Sequence, residues 1–144
     1  MSVPVERTLT FLFTDIEGST RALWLVGRNH EAMGDTQAAC DAYFEGLREV
    51  MQAAQRARLP ALLEAIAGMH PSAAAAPRLL GAAAALREAR GAAVFPSEHA
   101  DVDRWHASVR TAHGTLFERE FAAGRAMSSD DAIAAALALE RRAA

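Results

Sequence analysis

Apolar residues alternate with more polar ones near the start of the chain. Leu9, Phe11 and Phe13 occupy every second position of TLTFLFTDI, a segment rich in aromatic and β-branched residues. A period of two with this composition is typical of a β-strand. We therefore predict a strand over residues 8–16.

From Ser19 onward the apolar residues recur three and four positions apart, which is the period of a helix with one buried face. Ser19 or Thr20 can cap a helix that ends at Gly34, and Asp35 can cap the next one. The residues predicted to face inward are Leu23, Val26 and His30 in the first segment, and Ala39, Ala42, Tyr43, Leu47, Val50 and Met51 in the second. The pattern predicts a helical hairpin.

Five further helices are predicted over the rest of the chain. One covers residues 62–69, and another begins near Pro77 and ends at Gly91. The last three begin at Ser97, at Thr115 and at residues 128–131. A capping box joins Thr115 to Glu118 in this prediction. The buried positions of these last helices are predicted to be Val102, Trp105, Val109, Ala112, Ile133, Leu137 and Leu139.

The N-terminal stretch FLFTDIEGST resembles the first strand and metal loop of class III adenylyl and guanylyl cyclases, over roughly the first twenty residues. The resemblance implies that Asp15 and the backbone carbonyl of Ile16 hold magnesium. It also implies that the turn containing Gly18, Ser19 and Thr20 receives a triphosphate at a helix N-terminus. Both roles suit the chemistry, because Mg²⁺ prefers oxygen ligands and free N–H groups at a helix start attract anions.

Other parts of the cyclase pattern are missing from the chain. Members of the family usually recognise the base of the bound nucleotide with a lysine side chain. They take a second metal-binding aspartate from a Gly-Asp pair. All fifteen basic residues are arginine, and the only Gly-Asp pair is Gly34-Asp35, between two predicted helices. The preferred interpretation is a vestigial strand and phosphate turn without catalysis. The alternative is an active nucleotide cyclase or a Mg-nucleotide-binding protein.

Two further resemblances concern helical repeats. LWLVGRNHEAMGD, with Ala39, Tyr43 and Gly46, resembles one tetratricopeptide unit, in which a small residue such as Gly27 sits where two helices cross and an aromatic fills the gap. The stretches APRLLGAAAALREARGA and EFAAGRAMSSDDAIAAALALE lie within residues 60–142, which resemble the helical-repeat tail of large actinobacterial regulators of the LuxR and ATPase type. Together these imply tetratricopeptide-like hairpins over residues 21–144, after a cyclase-like segment at 1–20.

Charge and cysteine content restrict the compartment and the partners. The net charge is −3, so direct nucleic-acid binding is not expected. The only cysteine, Cys40, lies in a helical pattern and is interpreted as a packed residue rather than a nucleophile. The sequence shows no secretory leader and no apolar run long enough for a membrane span, which predicts a cytoplasmic protein without a membrane partner.

A histidine-rich helix is the remaining candidate for metal chemistry. His99, Asp103, His106 and His113 are spaced so that they could share one side of a helix. A zinc site needs three or four converging ligands, and the buried face of this helix is already taken by apolar residues. A solvated flank is therefore preferred over a metal site. Trp24 and Trp105 are interpreted as core residues.

The sequence as a whole predicts a mainly α protein of tetratricopeptide-like helical hairpins with one N-terminal β-strand. Its length predicts one compact domain. We expect a non-catalytic regulatory or scaffold protein that binds a protein or peptide partner and needs no cofactor, with magnesium only if the cyclase-like motif is functional. The exposed strand edge predicts self-association through residues 8–14 or disorder of that segment. A decayed gene product without a selected role is a third interpretation.

Overall fold

The computed structural model describes the backbone of residues 5–52 and 56–143, and the side chains of residues 18–52 and 56–142. Regular structure in these ranges is entirely helical. Within residues 5–52 and 56–143, seven α-helices follow one another, with a short 3₁₀ helix before α5 and another before α6. They are α1 (Val5–Ala32), α2 (Thr36–Gln52), α3 (Leu59–Met69), α4 (Ala76–Arg90), α5 (His99–His113), α6 (Phe117–Arg125) and α7 (Ser129–Ala143). The mainly α prediction is confirmed.

The N-terminal strand predicted over residues 8–16 is not confirmed, because α1 begins at Val5 and runs through that segment. A lone strand leaves its backbone N–H and C=O groups unpaired, and no other strand occurs in the described parts of the chain. A helix pairs these groups within itself, and extending an existing helix avoids the cost of a new nucleus. The helix predicted to start at Ser19 or Thr20 therefore starts earlier.

The chain divides into two compact units, Met1–Arg58 and Leu59–Ala144, where the sequence predicted one domain. The boundary predicted between residues 20 and 21 lies inside α1. That boundary followed the extent of the cyclase resemblance, close to the change from period two to period three or four. That change does not coincide with a change of element, since both sides belong to one helix.

Helices α1 and α2 form the hairpin predicted for the first unit. The turn between them contains Gly34, whose φ of +81° lies in the left-handed region that glycine adopts without strain. Asp35 caps α2, because its Oδ1 accepts a hydrogen bond from the backbone N–H of Ala38 at 3.1 Å. The buried residues of α2 are Ala39, Ala42, Tyr43, Phe44, Gly46, Leu47 and Val50.

The closest approach in this hairpin joins Gly27 of α1 to Tyr43 of α2. A Cβ placed on Gly27 would lie 2.4 Å from Cε1 of the Tyr43 ring, so only glycine fits this position. The ring is fully buried, and its hydroxyl donates a hydrogen bond to Glu31 at 3.2 Å. The packing of a small residue against an aromatic that the sequence predicted is confirmed here, although the tetratricopeptide assignment itself stays a prediction.

The second unit is built around α3, whose residues from 59 to 67 are all buried. Helices α4, α5 and α7 pack against it, and α4 also packs along α6. The backbones of α4 and α6 touch at two glycines. A Cβ on Gly81 would lie 2.0 Å from the carbonyl oxygen of Phe121, and one on Gly124 would lie 2.0 Å from that of Arg78. These glycines set the distance between the two helices.

Most of the helix ends predicted in the second unit are confirmed. Helix α4 ends at Gly91, which has a φ of +62°. The N–H of Asp131 donates to Oγ of Ser128 at 3.1 Å, so Ser128 caps α7. The caps predicted at Ser97 and Thr115 are wrong, because 3₁₀ turns precede α5 and α6 and neither helix has a side-chain cap.

The predicted inward faces of α5 and α7 are largely confirmed as well. Val102, Trp105 and Val109 are buried on α5, whereas Ala112 is exposed near its end. Trp105 fits against α3 at Gly68, where a Cβ would lie 2.0 Å from the indole ring. On α7 the buried residues are Ala132, Ile133, Ala136 and Leu139, with Leu137 half-buried.

Candidate functional site

The residues that the cyclase resemblance assigns to phosphate binding lie in the interior of α1. Gly18, Ser19 and Thr20 are helical, and thirteen helical residues precede Gly18 from the start of the element at Val5. The hydroxyls of Ser19 and Thr20 donate to the two carboxylate oxygens of Glu49 in α2, at 3.1 and 3.4 Å. In the structure these hydroxyls tie the two helices together. Nucleotide binding by this segment stays a prediction.

The residues proposed to hold magnesium, Asp15 and Ile16, belong to α1 by their backbone, and their side chains lie outside the described ones. The strand edge at residues 8–14, predicted to mediate self-association, falls in the same part of the helix. Among the described side chains, no group of three or more His, Cys, Asp or Glu is placed so that it could hold a metal ion. The magnesium site therefore stays a prediction too.

The predicted solvated flank of α5 holds for only some of its members. His99 and Asp103 are exposed. His113 is half-buried, and its Nε2–H donates to the carbonyl of Pro71 at 3.0 Å. His106 is half-buried beside Phe121, with a distance of 6.2 Å between the ring centroids. The helix therefore uses two of its histidines to contact the rest of the second unit.

The surroundings of His106 disfavour its charged form. Burial is the main cause that lowers the pKa of this histidine below its ordinary value, and the nearby Arg110 guanidinium acts in the same direction. The carboxylates of Glu64 and Asp103 oppose the shift without cancelling it. His106 is thus held neutral around neutral pH.

The second unit contains a buried ion pair that the sequence analysis missed. Glu64 of α3 is 3% exposed, and both of its oxygens accept hydrogen bonds from Arg87 of α4, at 3.0 Å from Nε and 2.8 Å from Nη2. Burial works against the charge of Arg87, but the hydrogen bonds and charge of Glu64 outweigh it, so the pKa of the guanidinium is raised. The signal in the sequence was one acid inside the otherwise apolar helix LPALLEAIAGM. The pair fixes α3 against α4.

Trp24 is a core residue, as predicted, with 1% of its surface exposed. The guanidinium groups of Arg28 and Arg58 each lie 4.9 Å from the centre of its ring, which adds cation–π attraction to the packing. Trp105 is equally buried. Cys40 is half-buried, and burial together with the nearby Asp41 and Glu31 raises the pKa of its thiol. This favours the protonated thiol and agrees with a packing role for Cys40.

One side of α1 carries large apolar side chains exposed to solvent. Leu25 is 40% exposed, Val26 42% and Met33 70%. Val26 was predicted to face inward, but Trp24 takes the buried position and Val26 lies on the other side. We call the exposed side, together with the turn residue Met33 that directly follows the helix, the outer face of α1; its residues are Gly18, Arg21, Ala22, Leu25, Val26, Asn29, Ala32 and Met33.

The outer face lies opposite the side that packs on α2. Thr20, Trp24 and Gly27 are the buried residues of α1 among those whose side chains are described. At about 100° per residue, Thr20 and Gly27 lie about 140–180° around the helix from Leu25 and Asn29, and Trp24 lies about 100° from Leu25 and about 140° from Asn29. Exposed apolar side chains clustered on one helix face are typical of protein interaction surfaces. The outer face is therefore the candidate functional site.

None of the helices in the described ranges is long and apolar enough to cross a membrane. Comparisons of the chain with protein-family models, with curated proteins and with solved structures found no match.

Proposed function

We propose that this chain is a non-catalytic helical protein that binds a protein partner through the outer face of α1. The observation that carries the proposal is the exposure of Leu25 and Val26, and of Met33 directly after the helix, on one side of α1, whose opposite side is packed. Burying such side chains against a partner contributes about 25 cal/mol per Å² of apolar surface removed from water. A helix face of this kind accepts another amphipathic helix.

The hairpin gives this surface a rigid support. Tyr43 fills the space beside Gly27, and Glu49 joins the hydroxyls of Ser19 and Thr20 to α2. These contacts hold α1 on the side that packs against α2. Little conformational entropy is therefore lost when the outer face of α1 binds a partner. The resemblance to regulator tails supports a regulatory or scaffold role for such binding in the cytoplasm, and this role is part of the proposal.

A photo-crosslinking amino acid at position 25 tests the proposal in the source cells. We expect a covalent adduct of defined mass from position 25 and none from Glu45, an exposed position on α2 that serves as the control. The protein in the adduct is then purified, and Leu25→Glu should weaken its binding at least tenfold without changing the helical content. Absence of adducts at position 25, or equal binding by Leu25→Glu, would refute the proposal.

The stretch FTDIEGST supports one rival function, namely binding or cyclisation of a Mg-nucleotide. Calorimetry with ATP and GTP in the presence of Mg²⁺, together with a cyclase assay, separates the two. Saturable binding that Asp15→Ala abolishes would establish a nucleotide site, and formation of a cyclic nucleotide would establish an enzyme. We expect neither signal from the purified chain.

A further inference from the structure

We propose that the partner of the outer face is a second copy of this chain, paired α1 against α1 in parallel and in register. This inference rests on the proposed function and specifies the partner. It differs from the strand pairing through residues 8–14 that the sequence predicted, because it uses a packed helix rather than an extended edge.

The spacing along the centre of the outer face is that of a coiled-coil seam. Gly18, Ala22, Leu25, Asn29 and Ala32 follow one another at intervals of four, three, four and three residues, and all five are exposed. Such spacing keeps one line of side chains facing a partner helix. The small residues of this line allow two backbones to approach closely around Leu25. The pairing leaves the α2 side of each hairpin unchanged.

Asn29 argues for a second copy as the occupant and for a parallel orientation. It is the only asparagine in the chain, and it takes a position equivalent to that of Ala22 in the seam. An amide carries both a donor and an acceptor, so two copies of Asn29 can hydrogen-bond to each other across a two-fold axis. In an antiparallel pair Asn29 would instead face Leu25 and lose its hydrogen bonds with water. A single asparagine of this kind fixes the register of parallel helices.

The charges beside the seam favour the same arrangement. Arg21 and Arg28 flank it on one side, and Val26 flanks it on the other, followed on that side by Met33 in the turn directly after the helix. In a parallel pair each arginine lies next to an apolar residue of the second copy, and its aliphatic stem can cover that residue. In an antiparallel pair Arg21 would lie next to Arg28 of the second copy, and the like charges would repel each other. The electrostatic pattern therefore selects the parallel dimer.

Disulfide trapping tests both the occupant and the orientation. In a Cys40→Ser background, Ala22→Cys and Ala32→Cys should each form a disulfide-linked dimer alone under mild oxidation, because each seam position meets its own counterpart. Glu45→Cys on α2 is the control and should stay monomeric. An antiparallel pair would link the two variants only when they are mixed, and this result would overturn the proposed orientation. No dimer from either variant would overturn the inference altogether.

The molar mass in solution provides the second measurement. Light scattering of the full chain should show a mass that rises with concentration toward that of a dimer, and Leu25→Glu should weaken the association at least tenfold with unchanged circular dichroism. A constant monomer mass would refute the dimer. The proposed function would survive that result if the crosslinker at position 25 captures a different protein whose purified form binds this chain. If the crosslinker at position 25 forms no adduct, both the dimer and the proposed function are refuted.

Discussion

Replacing Gly27 by alanine should destabilise the first unit, although alanine is the better helix former. The new Cβ would lie 2.4 Å from Cε1 of Tyr43, whereas an ordinary contact begins near 3.4 Å, so the ring must retreat by 3.4 − 2.4 = 1.0 Å. The ring is fully buried and its hydroxyl is bonded to Glu31, and both features oppose the movement. Overpacking of this kind costs about 1–3 kcal/mol.

The same helix offers a matched control at Gly18, where an added Cβ meets nothing within 4 Å. Both glycines are helical, so alanine should gain about 1 kcal/mol of helix propensity at either position. That gain is common to the two variants, and their difference isolates the contact with Tyr43. We expect Gly18→Ala to be more stable than Gly27→Ala by about 1–3 kcal/mol.

Amide hydrogen exchange in α2 measures the opening free energy of the first unit without interference from the second. A further variant, Tyr43→Leu, removes the ring atoms that Gly27→Ala would meet. In that background Gly27→Ala should lose most of its penalty, which gives a coupling energy between the two positions. Equal stabilisation by Gly18→Ala and Gly27→Ala, or a penalty that persists beside Tyr43→Leu, would refute the proposed packing.

Three further predictions concern the second unit, with Trp105 fluorescence in urea, measured in a Trp24→Phe background, as the readout. Arg87→Leu should cost about 3–5 kcal/mol because it leaves the buried Glu64 carboxylate unpaired, and adding Glu64→Leu should restore most of the loss; a double variant no better than the single one would contradict this. Gly124→Ala should cost about 1–3 kcal/mol, because its Cβ would collide with a carbonyl of α4, and a stabilised variant would contradict the helix contact. The free energy of unfolding should fall as the pH is lowered through about 6.5, the ordinary pKa of histidine, because the unfolded chain protonates His106 more readily than the folded one does. His106→Asn should flatten this slope, and an unchanged slope would contradict the assignment.

The sequence correctly predicted those helix ends and buried helix faces that depend on residues close by in the chain. Gly34 and Gly91 end helices because each takes a left-handed conformation, and Asp35 caps the helix that follows it. Trp24 and Trp105 were recognised as core residues because a large aromatic side chain gains much free energy when its apolar surface is buried. The pairing of Gly27 with Tyr43 was also predictable, since a repeat pattern relates the two positions.

Features that depend on distant parts of the chain were not recovered. Residues 8–16 have a strand-like composition, but a strand needs a partner, and the composition of one segment does not show whether a partner exists. Glu64 and Arg87 are 23 residues apart, and nothing between them indicates that their side chains meet. Val26 has the spacing of a residue on a buried helix face. Trp24, on a different side of α1, has more apolar surface to bury, and the helix therefore turns the Trp24 side toward α2 and leaves Val26 exposed.

Residues 18–32 form a helix that packs on α2 with one side, and we propose that its other side binds a partner. Backbone NMR shifts during a dilution series, followed by addition of Mg²⁺ and GTP, test it in a single sample. We predict helical Cα shifts throughout, concentration-dependent changes at Ala22, Leu25, Asn29 and Ala32, and no response to the nucleotide. Extended shifts at Gly18, with amides there that respond to Mg-GTP, would contradict the account.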